Sequence, residues 1–337
     1  MRLLVIGGSV FLGRSIVEEA LRQGHEVTTF NRGRSGEDLP GVTAVRGDRE
    51  NPDDLRALAE GRTWDAIVDV CGFTPRVVAS SARALSGHAP LYAFVSTVSA
   101  ISTWPAERVD ETAPLWECDP EAGPEDGDYS VLKAGCERAV ETFFDGGALI
   151  LQPGLILGPW ENVGRLPAWL RRIARGGRVL APGDPGQEMQ LIDARDIATF
   201  TVDQAAKGTE GRFLLTGPAG NTTFGRWLAD CAEATGSDAE FVWVDDDFLH
   251  AREVEPWTEL PLWIPAGESD AGAWSVATAR AEAAGLRCRP VRETVRDTWD
   301  WLKDRDVAAL EERLPSWRRH GIAPEKEARV LSEWDAR

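Results

Sequence analysis

Leu3-Leu4-Val5-Ile6-Gly7-Gly8-Ser9-Val10-Phe11-Leu12-Gly13 decides the fold of this 337-residue chain. Leu3 to Ile6 is a short apolar run, Gly7-Gly8-Ser9 a turn, and Leu12, Ile16, Val17, Ala20 and Leu21 recur at helical spacing. The stretch reads as strand, tight turn, helix. Gly7 and Gly13 stand where a Gly-x-x-Gly-x-x-Gly fingerprint has its first and third glycines. Such a turn brings the backbone N–H groups around Ser9, Val10, Phe11 and Leu12 to a dinucleotide pyrophosphate at the helix N-terminus. Val10 occupies the middle position, where a branched side chain must point away from the phosphates or move the cofactor.

The pattern repeats outward. Glu26–Phe30, Val42–Arg46, Ala66–Val70, Leu91–Ser96 and Ala148–Gln152 read as strands, with helices expected over 52–60, 75–86 and from Tyr129 to about Phe144. Alternation of this kind predicts an α/β fold: a Rossmann-type, doubly wound parallel sheet with helices on both faces. Past Pro153 the chain turns rich in Pro, Gly and Trp, then gives one more helix at Asp196–Ala206 and one more strand at Phe213–Thr216. A nucleotide-binding domain is therefore expected from 1–155 and 188–218, with a smaller, discontinuous substrate domain from 156–187 and 219–337.

Composition limits the partners. With 43% apolar and 27% charged residues the chain is globular, and a formal charge of -18 opposes any broad nucleic-acid or anionic-membrane surface. Arg171, Arg172, Arg175 and Arg178 cluster and are expected to form a solvated helix face. Cysteines at 71, 118, 136, 231 and 288 form no Cys-x-x-Cys pair and His25, His88, His250 and His320 are scattered, so neither a disulfide framework nor a metal site is expected. A cytoplasmic setting fits best, and no apolar run is long enough to span a bilayer.

Strand ends carry the ligands in this architecture. Asn31-Arg32-Gly33-Arg34 ends the second strand with no adjacent acid and two guanidiniums suited to a 2′-phosphate, which favours NADP over the alternative, NAD. Asp48 offers a carboxylate to an adenine amino group or simply forms a turn, with Arg49 beside it, and Cys71-Gly72 is small enough for adenosine ribose to lie on the backbone. Tyr129 and Lys133, four residues apart on one helix face, form a candidate proton relay, since a neighbouring ammonium lowers a phenol's pKa.

In their shared order, Gly7 to Gly13, Gly47-Asp48, Phe94-Val-Ser96-Thr97, Tyr129-x-x-x-Lys133, Gln152-Pro153-Gly154 to Gly158-Pro159 and Ile192-Asp193 to Ala198 resemble the extended or atypical short-chain dehydrogenase/reductases, also called the NAD-dependent epimerase/dehydratase family. The resemblance covers most of residues 1–216, and the first turn is most similar to the branch that includes the chloroplast stem-loop RNA-binding proteins. It implies that Tyr129 is the acid/base, that Lys133 binds the nicotinamide ribose and lowers the tyrosine's pKa, and that Thr97 orients the substrate. Ser96 and Pro153 would border the cofactor. Phe73, Ser99, Asn162, Arg165 and Gln190, close to family motifs, are candidate substrate contacts. Trp104, Trp160, Trp169, Trp257 and Trp263 are candidate pocket walls. Thr97-Val98-Ser99 lacks the Asp and Glu that sugar-nucleotide 4,6-dehydratases carry there, so the expected activity is hydride transfer at a secondary alcohol or ketone of a sugar nucleotide or small biosynthetic metabolite, by a reductase or epimerase. The alternative is a non-catalytic nucleotide-sensing or RNA-binding protein. For the enzyme reading the expected partners are a small-molecule substrate, no nucleic acid and no membrane; a homodimer is allowed.

Overall fold

The computed structural model describes residues 1–267 and 272–337. Seven strands form one wholly parallel sheet: β1 (Arg2–Ile6), β2 (Glu26–Asn31), β3 (Thr43–Arg46), β4 (Ala66–Asp69), β5 (Leu91–Val95), β6 (Gly147–Pro153) and, late in the chain, β11 (Gly211–Leu215). Their order, β11-β6-β5-β4-β1-β2-β3, is that of a doubly wound sheet whose direction of winding reverses between β1 and β4. Leu3 to Ile6 are all buried because both faces are covered. Leu3 and Val5 pack under α1 (Phe11–Arg22) and α6 (Ala194–Lys207). Leu4 and Ile6 pack under α2 (Pro52–Ala59), α3 (Pro75–Leu85) and α4 (Tyr129–Phe143).

A second apolar core lies beyond the sheet's carboxyl edge. It holds α5 (Arg165–Ala174), α7 (Phe224–Thr235), α8 (Asp246–His250), α10 (Val291–Leu302), α11 (Val307–Arg313) and α12 (Pro324–Asp335). Between them run the short parallel pairs β7 (Leu155–Leu157) with β10 (Leu191–Asp193) and β8 (Arg178–Pro182) with β13 (Glu240–Val244), and the antiparallel pair β9 (Glu188–Met189) with β12 (Thr222–Thr223).

Three placements differ from the sequence reading. Leu155 belongs to the second core. Conversely, α9 (Ala279–Ala284) returns to the first, where Ala281 and Leu286 pack, so the tail is not wholly part of the second unit. The arginine cluster is a solvated face only in part: Arg175 and Arg178 are exposed, but Arg171 pairs with Glu311 at 2.8 Å, Arg172 with Glu327 at 2.6 Å and Arg178 with Asp335 at 2.6 Å, tying α5 and β8 to the C-terminal helices. No helix among the described residues is long and apolar enough to cross a membrane.

Candidate active site

Everything expected of the cofactor turn depends on whether the N-terminus of α1 is free. Val10 is its N-cap, with an extended backbone and no side-chain oxygen to offer, and no acid stands in the first turn. By contrast, Asn51, Asp128, Asp193 and Thr223 cap their helices with side-chain hydrogen bonds. A helix start with unclaimed N–H groups at the carboxyl edge of a parallel sheet fits a pyrophosphate. Val10 therefore preserves the anion site by declining to cap it, and its φ of -135° needs no glycine. The tight contacts fall elsewhere: a Cβ on Gly13 would come within 2.8 Å of Val70 Cγ2 and 2.9 Å of the Gly8 nitrogen, so strand and helix approach only because both residues lack side chains.

The end of β2 is less simple than its sequence. Asp38, seven residues past Asn31, folds back and accepts from Thr29 Oγ1 at 2.9 Å, from Asn31 Nδ2 at 2.9 Å and from the Arg46 guanidinium. The expectation of no acid beside this strand end is corrected, though this carboxylate is already saturated and neutralised. Burial works against its charge, but the hydrogen bonds hold its pKa below the usual range. Arg32 and Arg34 are exposed, Arg32 lying 3.7 Å from Asp48.

Arg49 does not face a ligand. Its fork grips buried Asp69 at 2.8 and 2.7 Å and reaches Ser81 at 3.0 Å, while Tyr92 donates to Asp69 at 2.8 Å. This corrects its assignment as a cofactor contact: it forms the floor of the site. Cys71 lies on that floor, its thiol pushed up by burial, so it serves as a small apolar side chain and not as a nucleophile. Gly72 admits no Cβ, which would meet Phe94 at 2.6 Å, and its carbonyl is one of two that receive Lys133 Nζ: Gly72 O at 2.8 Å and Val95 O at 2.7 Å.

Asp128 caps α4 through Ser130 N and Val131 N, so Tyr129 is the first helical residue and Lys133 sits one turn below it. Tyr129 is half exposed, whereas Lys133 is buried. Burial raises the phenol's pKa, and the Thr97 hydroxyl and the charge of Arg165 pull it back. The spacing brought the two residues to one helix face, but the lysine stem runs to the strand-end carbonyls, leaving one of its three N–H groups free for a ribose hydroxyl.

Behind Thr97, Ser96 donates to buried Glu137, which also receives Gln152 Nε2 at 2.8 Å and lies 3.3 Å from Arg212 of β11. Ser96 thus orients the ends of β5 and β6 from beneath. Pro153 ends β6, buried. Phe73 is 58% exposed beside Lys133, an aromatic face open to a ligand. Ser99 N–H is bound to Thr97 Oγ1 at 3.2 Å. Asn162 is half-buried, its carbonyl held by Ser316. Gln190 is no substrate contact: buried, it donates to Gly217 O and Val276 O and accepts from Val276 N, which leaves it nothing to offer. Of the tryptophans, Trp169 and Trp263 are core, Trp160 stacks on Trp301 beneath Arg14, and Trp257 faces Arg165. Sequence reasoning gave no role to Asp38, Asp69 and Glu137.

A doubly wound parallel sheet with an open helix N-terminus over its glycine turn, and a Tyr/Lys helix beside Thr97, defines a dinucleotide-dependent enzyme of the short-chain dehydrogenase/reductase type. The chain belongs to the NAD dependent epimerase/dehydratase family, whose model matches residues 3–213. It is 28% identical over 220 residues to a 2'-dehydrokanamycin reductase of Streptomyces kanamyceticus, covering 62% of this chain and 60% of that one. Over 226 residues it is 28% identical to a 2-alkyl-3-oxoalkanoate reductase of Stenotrophomonas maltophilia, covering 61% and 66%. The chain thus spans less than two thirds of the length of either relative. Among solved structures it is similar in fold to the Bordetella bronchiseptica enzyme WbmH in complex with NAD+, with a TM-score of 0.68 and 15% identity over 90% of this chain and 98% of that one. The UDP-glucose 4-epimerase of Thermotoga maritima gives 0.66 and 16% over 90% and 99%.

Proposed function

We propose that this protein reduces a ketone, or interconverts a secondary alcohol through one, using a nicotinamide dinucleotide with NADP preferred and Tyr129 as the proton donor and acceptor. The observation that carries this reading is the Tyr129 phenol, half open to the cleft, one helical turn above a Lys133 fixed to the strand-end carbonyls and beside Thr97. When bound, the dinucleotide supplies or accepts the hydride. The free N–H groups at the start of α1 hold its pyrophosphate, and the remaining Lys133 proton holds its ribose. In the direction of reduction, as the carbonyl carbon gains hydride, Tyr129 gives its proton to the carbonyl oxygen and Thr97 donates a second hydrogen bond to that oxygen. A phenol whose pKa is raised by burial keeps its proton at neutral pH, as this direction requires.

The relatives named above include two reductases, one named for 2'-dehydrokanamycin and one for a 2-alkyl-3-oxoalkanoate, which supports reduction of a small biosynthetic metabolite. A sugar nucleotide is the other substrate class that the structural neighbours suggest. Val98 and Ser99 provide no acid or base for eliminating water, so a dehydratase is not proposed. The unit boundaries proposed are those of the two apolar cores, with α9 returned to the first. Turnover of a ketone panel with NADPH tests the reading: Tyr129→Phe should lower turnover by about two orders of magnitude and leave NADP affinity, read by calorimetry, nearly unchanged. Full turnover in that variant would remove Tyr129 from the chemistry.

A further inference from the structure

Arg165 opens α5 beside Tyr129, and its side chain is alone. Every other arginine among the described residues that is not exposed gives its fork to a carboxylate or a backbone carbonyl, as Arg14 does to Glu18, Arg49 to Asp69 and Arg289 to Asp196. Arg165 makes no side-chain hydrogen bond and no ion pair, and its Nε is shut off from water with no acceptor in reach. A half-buried guanidinium with an orphaned Nε and no ion pair is costly, and one that persists at a ligand site points to a ligand that completes it.

Its surroundings say what completes it. The nearby acid is Glu161, but those carboxylate oxygens face the N–H groups of Gly164 at 3.1 Å, Arg165 at 2.7 Å and Leu166 at 3.3 Å, so they cap α5 and do not grip the fork. The Trp257 ring covers one side of the guanidinium, 5.3 Å from Cζ to centroid, a stacked arrangement that leaves the planar edge for a planar, bidentate partner. One guanidinium with a capping acid behind it balances a single negative charge better than a dianion. Arg165 and Tyr129 also sense each other's charge, which places the two side chains in one neighbourhood.

Resting on the reading of Tyr129 as the proton donor, we propose that the substrate is an oxo acid or hydroxy acid whose carboxylate docks on Arg165, making Arg165 the residue that sets substrate class. The test uses the full chain with NADPH and a series of straight-chain 3-oxo acids of increasing length, each paired with its methyl ester and with the matching 3-oxoalkyl phosphate. Affinity for the enzyme–NADP complex is read by calorimetry, and turnover by nicotinamide absorbance. The wild type should bind at least one acid about tenfold more tightly than its ester, Arg165→Met should bring acid and ester within about threefold of each other, and Arg165→Lys should keep part of the preference. Should Arg165→Met fail to fold, the wild-type ratio together with Arg165→Lys carries the test. Equal affinity for acid and ester, an undiminished preference in the variants, a preference for the phosphate, or no binding of any acid would each overturn the inference. Acids that bind through Arg165 yet are never reduced would uphold the inference and refute the hydride-transfer reading. Acids and esters reduced equally well would do the reverse.

Discussion

Raising the pH through neutrality should weaken this protein through one group, Glu161. The carboxyl is fully buried, and burial lifts its pKa from 4.5 to about 7 despite the opposing charge of Arg165 and three backbone N–H donors. A carboxyl whose folded-state pKa is raised makes the native state hold more protons than the unfolded chain between those two values. The associated stability is therefore complete below about pH 4.5 and is lost as pH rises through about 7. A rise of that size is worth about 3 kcal/mol, a large fraction of a typical folding free energy. Glu161→Gln removes the titration. Its amide oxygen can still accept from part of the Gly164–Leu166 amide set, while its NH2 group cannot, so the variant carries a roughly constant penalty on which the pH-dependent part is superposed. Urea unfolding of both proteins at intervals from pH 5 to 8 isolates that part, because every other titrating group cancels in the difference. From pH 5 to 8 the wild type should lose about 2.5 kcal/mol relative to the variant. A difference that stays flat with pH, or that moves in the wild type's favour as pH rises, would show that the carboxylate is ionised throughout, and the burial argument would be wrong.

Removing Lys133 should harm more than catalysis. Lys133→Ala strands the carbonyls of Gly72 and Val95, so denaturant melts should show a loss of about 1 to 3 kcal/mol alongside weaker cofactor binding in calorimetry. Asp69→Asn leaves the Arg49 guanidinium without its counter-charge in the floor of the site, and chemical unfolding should report a loss of about 3 to 5 kcal/mol, with retained stability showing that water reaches the pair. Arg32→Ala should weaken NADP by about tenfold and spare NAD in parallel titrations. Equal wild-type affinity for the two dinucleotides would end the assignment of a 2′-phosphate site at the end of β2.

What the sequence made legible is what local periodicity encodes. Leu3 to Ile6 could be read as a strand covered on both faces because an unbroken apolar run has no solvent side, and Tyr129 and Lys133 could be placed on one helix face because four residues make about one turn. What stayed hidden depends on which strands become neighbours. Arg49 meets Asp69 because each ends a segment on the sheet's carboxyl edge, and nothing in the sequence between them, 20 positions apart, marks the pair. Asp38 returns to Asn31 across a turn whose course no spacing rule specifies, and Gln190, next to a family motif, is consumed by backbone groups up to 86 residues distant.

The instructive case is Lys133, because its position was legible and its effect was not. A shared helix face fixes where a side chain starts, but a four-carbon stem reaches whichever acceptors desolvation makes most demanding, and two buried strand-end carbonyls outbid a half-exposed phenol. The charge of Arg165 also bears on Tyr129 and lowers the phenol's pKa. On the proposed docking, substrate binding and proton supply would be coupled through one side chain. While Arg165 is unpaired its charge favours the phenolate. A carboxylate docking on it cancels that charge, lets the effect of burial stand alone and raises the phenol's pKa further. The proton would be held most firmly by Tyr129 at the moment when a carbonyl arrives to take it, which favours concerted transfer with the hydride over early loss to solvent.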